Sequence, residues 1–303
     1  MADLSVKIGS VSLKTPIVIA SGTWGYDEEL WRDDLLGHVG AVCSKAITDG
    51  KKEGNPGVRV WETPCGLLNS IGLQNTGIDD FVDKKLPELE GRGVPIIANV
   101  SMEDEKGLIR MVERLVPVSD RITALELNVS CPNVDHGCMS WGVSPVLTGQ
   151  AVSMVRSRWS GPLWVKMTPQ APDPEAVGRA AQESGADALV VANTWLGMAM
   201  DVKARKPVFA RKVAGFSGPA VFPLSLRLVW QVAGAVSIPI IGCGGVSSWE
   251  DLLSMVMAGA SAVEVGTGLF RDLHMPESIC KGLSRYMEAE GVKHVSELVG
   301  VAR

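Results

Sequence analysis

Eight short runs of nearly unbroken apolar residues recur along the chain, at residues 16–20 (PIVIA), 41–45 (AVCSK), 96–100 (IIANV), 124–128 (ALELN), 163–167 (LWVKM), 188–192 (ALVVA), 239–243 (PIIGC) and 262–266 (AVEVG). Between them, apolar positions return at helical spacing over residues 103–115, 145–156, 174–183, 226–236 and 249–258, and several of these stretches open on Ser, Asp or Pro, the residue types that start helices. A strand with one wet face alternates apolar and polar residues, whereas a strand covered on both faces need not. The pattern therefore predicts a parallel sheet with helices packed over it. Eight such units predict a (β/α)8 TIM barrel, with residues 1–303 as a single domain. Two connections, residues 46–95 and 194–238, are longer than a barrel needs, and insertions after barrel strands are where substrate contacts are built. The first carries Gly, Asn and Pro in quantity before a helix expected from about Ile78.

In a barrel the carboxyl ends of the strands meet at one rim, so polar residues that end the runs converge although far apart in sequence. These are Ser21 and Gly22, Lys45, Asn99, Asn128 with Cys131, Lys166, Asn193 with Thr194, Gly244 with Gly245, and Gly266 with Thr267. The result is an amide-rich pocket with two lysines and one thiol. A thiol in a proline-stiffened turn suits a base or nucleophile. Glycine loops after the seventh and eighth strands suit a phosphate, because backbone N–H groups are left accessible there. No GxGxxG follows a predicted strand, so the phosphate fits a mononucleotide rather than NAD. Were that cofactor a flavin, Lys166 beside its pyrimidine edge would stabilise the charge gained on reduction.

Charge and cysteine content narrow the partners. The net charge is −5 and no run of five or six basic residues occurs, which disfavours nucleic acid and anionic membranes as partners. The first ten residues lack the apolar core of a signal peptide, and no stretch approaches a membrane span, so a soluble cytoplasmic protein is expected. Six cysteines, at 43, 65, 131, 138, 243 and 280, form no CxxC pair, which indicates neither a disulfide framework nor a metal site.

Several longer motifs add a family resemblance: ASGTWGY at residues 20–26, SKAIT at 44–48, GNPGVRVWETPCGLLNSIGLQNTG at 54–77, ELNVSCPN at 126–133, WVKMTP at 164–169, the Asn193-Thr194 pair, FSGPA at 216–220, PIIGCGGV at 239–246 and VEVGTGLF at 263–270. Along nearly its whole length the chain resembles class 1 dihydroorotate dehydrogenases, and the IGLQN form resembles class 1B, the NAD-linked branch. The resemblance implies FMN-dependent oxidation of dihydroorotate to orotate in pyrimidine biosynthesis, with Cys131 as the base. A cysteine base predicts a rate that climbs with pH. It further implies that the substrate is held by Lys45, Asn69, Ser70, Ile71, Gly72, Leu73, Asn128, Asn193 and Thr194. FMN contacts would fall on Ser21, Lys45, Ala46, Asn99, Asn128, Lys166, Ala192, Gly218, Gly244, Gly245, Gly266 and Thr267. No metal is implied.

By the same resemblance, residues 134–142 form a lid, and electrons leave through a partner subunit carrying FAD and a [2Fe-2S] cluster, in a heterotetramer of two plus two chains. The lid motif HGCMSWG departs from common relatives at Cys138 and Trp141, and Gln170 stands where they often carry Asn. The alternatives are a fumarate-dependent class 1A enzyme, a related dihydropyrimidine dehydrogenase barrel, or a flavin-binding barrel without activity.

Overall fold

The computed structural model describes residues 2–130 and 141–303. All eight apolar runs form strands: β1 (Ile17–Ile19), β2 (Ala41–Cys43), β3 (Ile96–Ser101), β4 (Ala124–Asn128), β5 (Leu163–Lys166), β6 (Ala188–Val191), β7 (Ile240–Cys243) and β8 (Ala260–Val265). They pair in parallel, each with its neighbours in sequence, and β8 closes on β1 through Val263↔Ile17 and Val265↔Ile19, completing the barrel. Successive side chains point to opposite faces. The apolar residues on the outward face meet the helices, while the inward face of several strands is polar.

Most helices lie where the spacing places them, and local chemistry sets their ends. Asp104 accepts from Gly107 N–H at 2.8 Å, so the third helix runs Glu105–Leu115, slightly inside the expected stretch. Pro145–Arg156 and Pro174–Glu183 match their expected limits, each with Pro in the first turn, where its missing N–H would have no helical partner anyway. The helix after β6 starts earlier than expected, at Phe222, with Pro223 in its first turn, and ends at Ala233 before Gly234. Trp249–Met257 opens on a Ser248/Asp251 capping box, and Met275–Glu290 ends on left-handed Gly291. Residues 78–89 are helical but widen into a π turn over Phe81–Lys85 just before Pro87, whose ring and missing N–H break the regular ladder.

Besides a short pairing of Met200–Asp201 with Lys206–Pro207, two features go beyond the barrel. A hairpin of Val6–Ile8 and Val11–Leu13 packs its turn at Gly9 against Asp187, which immediately precedes β6 at the amino end. At the opposite end the two long connections interlock. Val60–Thr63 and Gly66–Asn69 from the first, with Trp195–Met198 and Val213–Ser217 from the second, form one four-stranded antiparallel sheet. No described helix is long and apolar enough to cross a membrane.

Candidate active site

The carboxyl-end rim brings together most of the polar residues expected there. Asn193 Nδ2 donates to Asn128 Oδ1 at 3.3 Å, and Asn193 Oδ1 accepts from Thr194 N–H at 2.7 Å. Asn69 joins them across the interlocked sheet, donating to Gly215 O at 3.4 Å. A Cβ on Gly215 would lie 2.4 Å from Thr194 Oγ1 and 3.1 Å from Asn69 Nδ2, so only glycine lets these two side chains approach at this point. Ser70–Leu73 form a loop held from behind by Asn55, which donates to Ser70 Oγ at 2.9 Å and through its backbone N–H to Ile71 O at 3.0 Å. Asn75 ties the same loop to the end of β2, donating to Thr48 Oγ1 at 2.7 Å and Leu73 O at 2.6 Å while accepting from Gly77 N–H at 2.8 Å. Asn55 was not singled out from sequence, although it lies in the same Gly- and Asn-rich motif as Asn69 and Asn75.

Lys45 leaves β2 toward Gly22, whose added Cβ would sit 3.1 Å from Lys45 Nζ, so the Ser21–Gly22 turn and this ammonium share one corner. Among the described residues no carboxylate pairs with Lys45, and burial holds its pKa below the usual lysine range. Lys45 lines a cavity of about 360 Å³ together with Tyr26, Lys52, Asn75 and Lys85, and with Lys51, which is paired with Glu53 at 2.6 Å. Lys52 and Lys85 are already paired, with Glu103 at 3.0 Å and Glu88 at 2.9 Å. Lys45 is therefore the cation at this corner with attraction to spare for an anion.

Lys166 sits differently. Its ammonium lies 2.5 Å from Glu264 Oε2 and 3.6 Å from Glu126 Oε1, and all three side chains are almost wholly buried inside the barrel. Asn99 Nδ2 donates to Glu126 Oε1, and the Cys43 thiol donates to the same oxygen at 3.4 Å. Burial favours the neutral amine of Lys166, but its acidic partners Glu126 and Glu264 hold its pKa well above the ordinary value. The two lysines of the pocket are thus not equivalent, since one is bare and the other is embedded in acid. Both glutamates were missed in the sequence, where the signal was a lone Glu inside each of two apolar runs.

The glycine loops also converge. Gly244 and Gly245 both have positive φ, and a Cβ on Gly245 would fall 2.6 Å from Phe222 N at the start of the helix after β6. Gly218, also at positive φ, is pressed against Gly66, and Thr267 Oγ1 donates to the neighbouring Ser217 Oγ at 2.7 Å. The segments 217–218, 244–245 and 266–267 form one wall with little side-chain cover. Ala46 and Ala192 are buried just past the ends of β2 and β6.

Cys131 and residues 134–140 of the expected lid lie outside the described residues. The flanks are at the rim: Ser130 Oγ donates to Lys166 O at 3.2 Å, and a Cβ on Gly142 would lie 2.8 Å from Val129 O. Gln170, one of the unusual positions, accepts from Thr168 Oγ1 at 2.6 Å and donates to Thr194 O at 3.4 Å, so it ties the loop after β5 to the residue after β6 at the rim.

Residues 3–287 match the family model described as dihydroorotate dehydrogenase. The chain is 42% identical over 300 residues to the dihydroorotate dehydrogenase B (NAD(+)) catalytic subunit of Bacteroides thetaiotaomicron, covering 99% of each chain. It is 41% identical over 301 residues to the protein of the same name from Geotalea uraniireducens, covering 98% of this chain and 97% of the other. In fold it is similar to a crystal structure of dihydroorotate dehydrogenase from Eimeria tenella in complex with ferulenol, with a TM-score of 0.82 at 21% identity, over 99% of this chain and 88% of that one.

Proposed function

The chain belongs to the dihydroorotate dehydrogenase family, and from that premise we propose that it oxidises dihydroorotate to orotate on bound FMN, as the catalytic subunit of an NAD-linked enzyme of pyrimidine biosynthesis. The observation that carries this reading is that one rim holds both the polar cluster of Asn69, Asn128, Asn193 and Thr194 and the Lys45 ammonium, which pairs with no described carboxylate. Amides offer both donors and acceptors to the edges of a flat pyrimidine, and a bare cation suits its carboxylate. The loop Ser70–Leu73, stiffened by Asn55 and Asn75, supplies backbone groups to the same ligand.

The residues present fit FMN. A glycine wall at 218, 244–245 and 266–267 lets backbone N–H groups approach a phosphate, while Lys166 and Asn99, whose Oδ1 is buried without a donor among the described residues, are assigned to the flavin ring. Ser21, Ala46 and Ala192 complete the contacts assigned to it. When bound, FMN supplies a hydride acceptor. The substrate loses a proton from C5 to the Cys131 thiolate and a hydride from C6, which leaves the C5–C6 double bond of orotate. Lys45 holds the carboxylate in register during this loss. Residues 1–303 act as one domain. Electrons then pass to NAD through a partner subunit carrying FAD and a [2Fe-2S] cluster, in an assembly of two barrels and two partners.

The test is anaerobic. FMN bound to the purified chain should bleach on adding dihydroorotate, with orotate released in equal amount, and the Cys131→Ala variant should bind FMN but bleach at least about a hundred-fold more slowly. Bleaching by dihydrouracil and not by dihydroorotate would overturn the substrate assignment.

A further inference from the structure

The interior of a (β/α)8 barrel is ordinarily filled by layers of branched apolar side chains. In this chain the layer beneath Lys166 is polar: Cys43 from β2, Asn99 from β3, Glu126 from β4, Cys243 from β7 and Glu264 from β8 face one another there, while β1 and β6 carry only apolar residues. We propose that Glu126 and Glu264 hold one proton between them, so that Lys166 is backed by a single negative charge and belongs to a neutral cluster that sets the reduction potential of the cofactor above it. This rests on the flavin reading, which it deepens. The two glutamates are positioning residues that act through Lys166.

Three observations converge on the shared proton. The first is a charge count: with every group ionised, the enclosure would hold two carboxylates against one ammonium, and among the described residues no other cation reaches it. An uncompensated buried charge is heavily disfavoured, and a group in that position takes up a proton instead. The second is a count of hydrogen bonds. Glu126 Oε1 receives Asn99 and Cys43, with the Lys166 ammonium 3.6 Å away as an ion pair, and Glu264 Oε2 receives Lys166. Glu126 Oε2 and Glu264 Oε1 are buried and, among the described residues, without a geometrically resolved donor. A carboxylate oxygen of each residue and Cys43 Sγ lie within 4.8 Å of one another, and the two carboxyl groups are hydrogen-bond neighbours, so a hydrogen carried by one carboxyl can be given to the other.

The third is the direction of proton affinity. Burial and then the charge of Glu126 drive the pKa of Glu264 well up, while Lys166 and its hydrogen bonds keep Glu126 below the ordinary carboxylate value despite burial. Cys43 and Cys243 remain neutral thiols, the latter pushed up to about 12 by burial. A metal ion is not needed to gather these acids, because the ammonium of Lys166 already stands among them.

Titration of a shared pair belongs to the pair and not to one residue, and this yields a non-additive signature. In Glu126→Gln or Glu264→Gln the remaining glutamate ionises against Lys166 and the cluster stays neutral. Each single variant should therefore keep the wild-type flavin potential, whereas the double variant, with Lys166 uncompensated, should shift it upward. Infrared spectroscopy of glutamate-labelled wild type should show a buried protonated-carboxyl stretch that is absent from both single variants.

Equal, additive potential steps in the two single variants, or no such stretch in the wild type, would overturn the shared proton. A stretch that behaves as expected while the double variant leaves the potential unmoved would overturn the link to the cofactor. The infrared result needs no flavin, so a chain that failed to bind FMN would sink the functional reading and still decide the proton. Should the double variant not fold, the wild-type and single-variant spectra suffice.

Discussion

Lys45 is the residue at which stability and ligand binding pull in opposite directions. Burial depresses its pKa, so the unfolded chain binds this proton more tightly than the folded one. Stability therefore rises with pH from the depressed native value to the unfolded value of about 10.4, and below that window the folded protein bears the full penalty of a buried charge. At neutral pH an anionic ligand removes the penalty by pairing with it. Lys45→Met should consequently melt at or above the wild-type temperature without ligand, yet lose most of the increase that orotate gives the wild type, as read by thermal denaturation with and without orotate. A variant that melts lower and still responds fully to orotate would show that Lys45 is a structural cation. Lysines were legible as site residues because they end apolar runs. The glutamates were not, since whether a charge inside a strand is compensated depends on which residues of five other strands face it.

Among the elements, helix contacts outweigh helix propensity at Gly282. Glycine inside a helix is normally a weakness, and replacing it with Ala gains about 1 kcal/mol. Gly282 lies within Met275–Glu290, where an added Cβ would sit 2.2 Å from Trp249 Cδ1 and 2.8 Å from Trp249 Cβ, on the neighbouring helix. The last of these atoms cannot swing away, so overpacking by about 1–3 kcal/mol wins. Gly282→Ala should lower stability in denaturant titration; an increase would mean that the two helices can part freely. The eight barrel strands were readable because each is a local apolar run. The four-stranded sheet over the rim was not, because its strands are half-exposed, partly Gly-rich, and drawn from connections that pair across 146 positions, as Asn69 and Gly215 do.

For the molecule as a whole, the expected electron path leaves the chain. Neither the barrel strands nor their glycine loops carry a dinucleotide fingerprint, so the purified chain with FMN, NAD and dihydroorotate should form little NADH. Adding an iron-sulfur flavoprotein partner should restore turnover; brisk NADH formation by the chain alone would overturn the two-subunit arrangement. Architecture was the most legible level, since repeated strand and helix units constrain topology strongly. Quaternary arrangement was the least, because no periodicity in one chain reports on another.

The interlocked sheet ties Asn69 to Thr194 only after segments some 150 positions apart have met. Neighbouring strands of the barrel can zip up locally, but this closure is a distant event of the kind that slows folding. During refolding, far-ultraviolet ellipticity should recover before orotate affinity does, and the interval between the two signals times the moment at which the halves of the chain knit over the mouth.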